Sequence, residues 1–174
     1  GHSLSRMPIP ALWYVLRVFT ELPLSSYFLV TVVPLVCREW RRVCLEVPLR
    51  AHFWREDSAA FLVGVRRLFP RMASVTMKVG KLGSRDANLL LTCAQLRHLD
   101  VDGSHRLTRG FLRRLPALSL TTLSVRRCPI DIGLVARCTT LHSLDVSWCH
   151  VTDVGAIVGC TRLRRFAAAG TYIS

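Results

Sequence analysis

Lysine is nearly missing from this chain: Lys78 and Lys81 are the two among 24 basic residues, set against 11 acidic ones. The remaining 24 − 2 = 22 basic residues are arginine, and the formal charge is +13. Such a surface attracts acidic proteins, nucleic acid or anionic lipid, and the guanidinium fork grips carboxylate or phosphate at two points. A G- and C-rich coding sequence would also favour arginine. The pairs Arg41-Arg42, Arg66-Arg67, Arg113-Arg114, Arg126-Arg127 and Arg164-Arg165 are dispersed, so no block reads as a basic tail or import tract.

Long apolar runs are scarce too. Residues 22–36 carry no charge, but these 15 residues fall short of the ~20 that span a bilayer, and Pro23 and Pro34 interrupt them. No membrane span is expected. The P-loop, the dinucleotide-binding glycine run, G-x-S-x-G and H-E-x-x-H are all missing, so the expectation is a non-enzyme without a cofactor. Gly1-His2-Ser3 reads as a cloning remnant, and no secretory leader is recognisable. With an odd count of 7 cysteines, this suggests a reducing intracellular setting, cytoplasmic, nuclear or organellar.

What is present is a chain with 51% hydrophobic and 20% charged residues, which is ordinary for a folded domain. Its strongest signal is internal repetition. The pattern L-x-x-L-x-L-x-x-C/N occurs at Leu96, Leu99, Val101, Ser104, then Leu120, Leu123, Val125, Cys128, and again at Leu141, Leu144, Val146, Cys149. A weaker copy follows at Leu163, Phe166, Ala168, Thr171, and a degenerate one precedes at Met72, Val75, Met77. Successive starts lie 24, 24, 21 and 22 residues apart, within the span of leucine-rich repeats. In each unit a short strand alternates inward apolar and outward residues. The C/N residue turns the chain, and an apolar set returns it on the other side: Phe111, Leu112 and Leu115 in one unit, Val154, Ile157 and Val158 in another. One unit cannot bury its face alone, so the units must stack.

The phasing yields candidate binding residues. Outward strand positions form the concave face: Ser74, Thr76, Lys78; His98, Asp100, Asp102; Thr122, Ser124, Arg126; Ser143, Asp145, Ser147; Arg165, Ala167, Ala169. This mixed, hydrogen-bonding surface suits a protein or peptide better than nucleic acid, because the three aspartates would repel phosphate. A plain solvated sheet face is the alternative. Cys128, Cys138, His142, Cys149 and His150 cluster in sequence, but their spacing follows the repeat rather than the close pairs of a zinc site. No metal is expected.

The two best units, from Cys138 to Cys160, with the C-x-x-L junctions at Cys93–Leu96 and Cys160–Leu163, resemble the cysteine-containing subclass of leucine-rich repeats, common in F-box proteins. Ahead of them, Val15-Leu16-Arg17-Val18-Phe19 with Leu22-Pro23, and Val36-Cys37-Arg38-Glu39-Trp40-Arg41-Arg42, resemble the F-box itself. Leu12 stands where that motif has an acid, and the gap between Leu22-Pro23 and Val36-Cys37 is a few residues longer. The resemblance covers residues 8–54 as an F-box-like helical region, with a helical linker over 55–71 and repeats over 72–174. It implies an α/β chain: a helical N-terminal region followed by a right-handed leucine-rich-repeat solenoid of five units, with a parallel sheet on its concave face.

By the same resemblance, Pro10, Val15, Leu16, Phe19, Leu22, Pro23, Leu35, Val36 and Trp40 would dock a Skp-type adaptor of a cullin–RING ubiquitin ligase, and the repeats would hold a protein substrate. The same N-terminal residues would equally serve as a helical cap on the first repeat. A second functional class remains open: a structural component of a ribonucleoprotein or organellar assembly that binds nucleic acid through its arginines. The final unit is incomplete at Ser174, which favours a fragment of a longer chain.

Overall fold

In the computed structural model the described residues are 42, 45, 50–53, 67, 70–77, 88–151 and 153–173, with backbone alone described for 50–53, 77 and 172–173. The nine adaptor-docking candidates and Lys78 lie outside them, as does the linker apart from Arg67, Pro70 and Arg71.

Six short strands form one parallel sheet in simple sequence order: β1 (Arg50–Phe53), β2 (Ser74–Met77), β3 (His98–Asp100), β4 (Thr122–Ser124), β5 (Ser143–Asp145) and β7 (Arg165–Ala167). Two further strands, β6 (His150–Val151) and β8 (Tyr172–Ile173), pair in parallel beside it. Register partners are 24, 24, 24, 21 and 22 residues apart, so the sequence period is the strand-to-strand step. The sheet starts one strand earlier than the repeats suggest, because β1 lies within the span expected to be helical. At its register Ala51 and Phe53 occupy the phases of Val75 and Met77, too weak a pattern to read as a repeat.

The ladder is longer than the strands. At each step one carbonyl accepts two amides where the next strand begins: Ala73 from Arg97 and His98, Arg97 from Thr121 and Thr122, Thr121 from His142 and Ser143, His142 from Arg164 and Arg165. Past the strands it continues through Gly103 N to Arg126 O (2.8 Å), Arg127 N to Ser147 O (3.1 Å) and Trp148 N to Ala169 O (2.8 Å). A parallel sheet needs its backbone satisfied across a long crossover, and here the repeat provides it.

The crossovers pack behind the sheet. Helix α1 (Arg109–Arg114) starts at Thr108, whose hydroxyl accepts from Phe111 N, and carries Arg113 and Arg114 in its last turn, where the helix dipole favours cations. Helix α2 (Ile132–Val135) is capped by Asp131, which accepts from Gly133 N at 3.1 Å. The next crossover is a 3-10 helix, Val154–Gly159. Between layers lie Leu99, Leu123 and Leu144 from the strands, and Phe111, Leu112, Leu115, Ile132 and Val135 from behind, all buried. Truncating one such leucine to alanine costs about 2–5 kcal/mol. Val158 departs from the expected inward set: it is 82% exposed, while Val154 and Ile157 are half-buried. The tighter 3-10 turn rotates Val158 away from the core.

The cysteine positions knit the stack. Cys128 Sγ–H donates to Val101 O (3.2 Å), Cys149 to Val125 O (3.0 Å), and Thr171 Oγ1 to Val146 O (3.2 Å). Each turn residue thus satisfies a carbonyl of the preceding unit. Cys138 and Cys160 form a second buried column, with Cys160 Sγ donating to Ala136 O at 3.4 Å. Burial pushes the Cys128 and Cys138 thiols up to about 12, and raises those of Cys149 and Cys160.

Candidate functional site

The uncovered face of the sheet is built from two columns in strict register. The first runs Ser74, His98, Thr122, Ser143, Arg165, and the second Thr76, Asp100, Ser124, Asp145, Ala167. Both follow the phasing expected from the sequence. A third line, beyond the strand ends, holds Asp102, Arg126, Ser147 and Ala169.

Asp100 and Asp145 are oriented from their own loops. Asp100 Oδ1 accepts from Asp102 N at 3.3 Å, and Asp145 Oδ1 from Ser147 N at 2.9 Å, the local bonding that suits aspartate to turns. Their outer oxygens face Arg126 from either side: Arg126 Nη2 is 4.0 Å from Asp100 Oδ2, and Nε is 3.8 Å from Asp145 Oδ2. Arg126 Nη2 makes a closer pair with Asp102 Oδ2 at 3.2 Å. Asp102 is also held by Arg127 through two bonds, Nε to Oδ1 at 3.0 Å and Nη2 to Oδ2 at 2.7 Å. That fork-to-carboxylate geometry is the strong form of the interaction, and it raises the Arg127 pKa further.

Not every expected residue is available to a partner. Asp102 and Ser147 stand in phase but are buried, at 7% and 6% exposure. They serve the turns, Asp102 through its arginines and Ser147 by accepting from Ala169 N at 3.2 Å. His98 and Arg165 are exposed; Asp100, Thr122, Ser124, Arg126, Ser143 and Asp145 are half-buried. Among the described residues Ser124 Oγ and Arg126 Nε are buried atoms that make no hydrogen bond.

The sequence phasing passes over the residues that follow this third line. Gly103, Arg127, Trp148 and Gly170 occupy equivalent places in four successive turns, and all have positive φ: 69°, 55°, 63° and 62°. Glycine adopts this conformation freely, whereas an L side chain pays about 1–2 kcal/mol. Arg127 and Trp148 are held there nonetheless. Trp148 is 66% exposed, and a Cβ placed on Gly170 would meet three of its indole atoms at 2.5–2.7 Å. The indole therefore lies directly on the Gly170 backbone. The in-phase glycines 103 and 170 were the sequence signal that marked this position.

Behind the sheet, an open cleft of about 560 Å³ is lined by Arg109, Asp131, His150 and Asp153 among others. Arg109 and Asp131 pair there at 2.8 Å, which together with the Gly133 N bond lowers the Asp131 pKa. That carboxylate already serves its helix and its neighbour. No helix among the described residues is long and apolar enough to cross a membrane.

Comparison with known proteins agrees with this geometry at the level of fold. A family model described as Leucine Rich repeat matches residues 137–158, which spans β5 and its flanking turns. Among solved structures, an internalin from Listeria monocytogenes superposes with a TM-score of 0.53 at 16% identity, covering 78% of this chain. The chain spans 45% of that internalin's length. No curated protein matches the sequence. The chain has a leucine-rich-repeat fold with a parallel sheet.

Proposed function

We propose that this chain is a non-catalytic protein-binding arm whose uncovered sheet face holds a protein partner. The observation that carries this reading is the in-register column Asp100–Ser124–Asp145 around Arg126. It combines charges of both signs with two buried atoms, Ser124 Oγ and Arg126 Nε, that make no hydrogen bond among the described residues. The half-buried side chains of this column, Asp100, Ser124, Arg126 and Asp145, offer donors and acceptors together to a ligand. A backbone or amide-bearing side chain of another protein has that chemistry.

The finer form of the proposal is a substrate-recognition adaptor of a Skp–cullin–F-box ubiquitin ligase, working inside the cell. It rests on Val36-Cys37-Arg38-Glu39-Trp40-Arg41-Arg42 ahead of cysteine-type repeats, and the buried thiols, which form no disulfide among the described residues, suit a reducing compartment. Pull-down of purified Skp-type adaptor by the full chain tests it. Association that is lost in a Val36→Asp, Trp40→Ala variant is expected, and an unmodified chain that captures no adaptor refutes the adaptor role.

The +13 charge favours a second reading, a structural component of a ribonucleoprotein assembly. Binding to RNA that weakens steeply as salt rises, with no peptide bound at the sheet face, would favour this alternative over the first.

A further inference from the structure

The indole of Trp148 is more costly to present than an ordinary surface aromatic. Its backbone sits at φ 63°, it is 66% exposed, and the chain beneath it is a glycine on which any side chain would strike the ring. Gly170 thus fixes the indole from below while leaving its other face open. A large, exposed, pre-ordered tryptophan is the residue type that dominates binding energy at protein interfaces, because little freedom is lost when a partner seals it.

The surroundings give the partner a chemistry. Along β7 and the turn that follows it, Ala167 and Ala169 are exposed, while Arg165 projects from the uncovered face at the start of the strand. Arg162 and Arg164 precede it, also exposed, and residues 160–173 contain no acidic residue. No ion pair of these three arginines occurs among the described residues. The nearest carboxylate in register, Asp145, faces Ala167 rather than Arg165. The face is therefore basic where β7 starts, acidic in its middle and aromatic at its exit. Strand β7 ends at Ala167 and the chain turns at Ala169 and Gly170, so Arg165 and Gly170 lie within about 16 Å of each other at ~3.3 Å per residue.

We infer that this strip takes a protein segment offering carboxylate side chains to Arg162, Arg164 and Arg165, and, within about 16 Å of them, an aromatic or aliphatic side chain against Trp148. The inference rests on the protein-binding reading above and specifies its partner. The acidic end is chosen because these arginines make no ion pair among the described residues and the whole chain carries +13, which steers anionic partners toward it.

The test is selection of a random twelve-residue peptide display library on the full chain, followed by anisotropy titration of the recovered peptides. The expected peptides pair acidic residues with one aromatic or aliphatic residue. Their affinity should fall about 30-fold or more, the measure of a hot spot, in Trp148→Gly. This change installs the residue found at the in-phase positions 103 and 170, so its melting temperature should stay within about 4 °C of the parent. Arg164→Glu with Arg165→Glu should weaken the same peptides and leave the fold intact.

Peptides that bind Trp148→Gly as tightly as the parent, or that are basic rather than acidic, overturn the inference. If such peptides are lost in Ser124→Arg, the sheet-face reading survives without it. If no selected peptide responds to either change, both readings fail. Binding of homopolymer RNA that competes at Trp148, with no peptide recovered, overturns the inference in favour of a nucleic-acid partner.

Discussion

Gly170→Ala should destabilise the fold by about 2–3 kcal/mol, and most of the effect beyond backbone strain should depend on Trp148. The added methyl group meets the indole at 2.5–2.7 Å, closer than van der Waals contact permits, while φ of 62° opposes any side chain. The left-handed conformation costs about 1–2 kcal/mol for alanine. Trp148 is 66% exposed, so roughly a third of a side chain that can cover ~250 Å² is buried. Losing about 80 Å² of cover at ~25 cal/mol/Å² forfeits at most ~2 kcal/mol. Because the ring is free on its outer face it swings away rather than forcing the backbone apart, which keeps the total near 2–3 kcal/mol. In a protein of this size 1 kcal/mol moves the melting temperature by about 2–4 °C.

Thermal unfolding of four proteins closes the cycle: parent, Gly170→Ala, Trp148→Gly, and the double variant. Trp148→Gly alone trades lost cover for relieved strain and should be nearly neutral. In its background Gly170→Ala should cost only the strain, so the two changes couple by about 1–2 kcal/mol, as contacting residues do. The difference in emission between parent and Trp148→Gly isolates this indole from Trp13, Trp40 and Trp54; Gly170→Ala should shift that component to the red. A neutral Gly170→Ala with unchanged emission, or additive losses across the cycle, refutes the seating of Trp148 on Gly170.

Cys128 and Cys138 should resist alkylation at pH 8 in the folded protein and react on unfolding, read by peptide mass mapping, because burial holds their thiols at about 12. Both values are raised above the ordinary 9.0, so their contribution to stability is complete below that value and is lost as pH rises between about 9 and 12; a stability profile flat across that window contradicts it. Arg109→Ala should return the Asp131 carboxyl toward its ordinary pKa in an NMR titration, since the Arg109 hydrogen bond is the main cause of its lowering. The lowered value makes the Asp131 contribution present above the ordinary carboxylate pKa and lost as pH falls through the folded one, and Arg109→Ala should flatten that acid limb.

Much of the fold was legible because stacking leaves little choice. A leucine that fails to fall in step with Leu99, Leu123 and Leu144 would turn its strand inside out, so the spacing of apolar residues had to be the spacing of strands. The columns of the uncovered face follow from the same rule. β1 escaped notice because Ala51 and Phe53 stand where larger aliphatic residues define the other units, and the strand is set by its neighbour β2 instead. The burial of Asp102 and Ser147 was hidden by the simple alternation of in and out, which stops where the strand ends and the turn begins. Trp148 was missed for a related reason: the repeat pattern assigns its position no chemistry, and the in-phase Gly103 and Gly170 gain their meaning only with the backbone angle.

The changing crossovers have a consequence for breadth. Neighbouring strands sit about 4.8 Å apart, whereas packed helices need some 8–10 Å, so a stack with helices behind its sheet is wider at the back than at the front and must arch. Among the described crossovers that mismatch is largest behind β3 and β4, where α1 and its 3-10 extension Leu115–Ala117 lie. It shrinks toward β7 as the crossovers shorten to α2 and the slimmer 3-10 turn Val154–Gly159. The arch should therefore relax along the chain, tight around the aspartates and nearly flat beside Trp148, where a broad partner surface has room to lie.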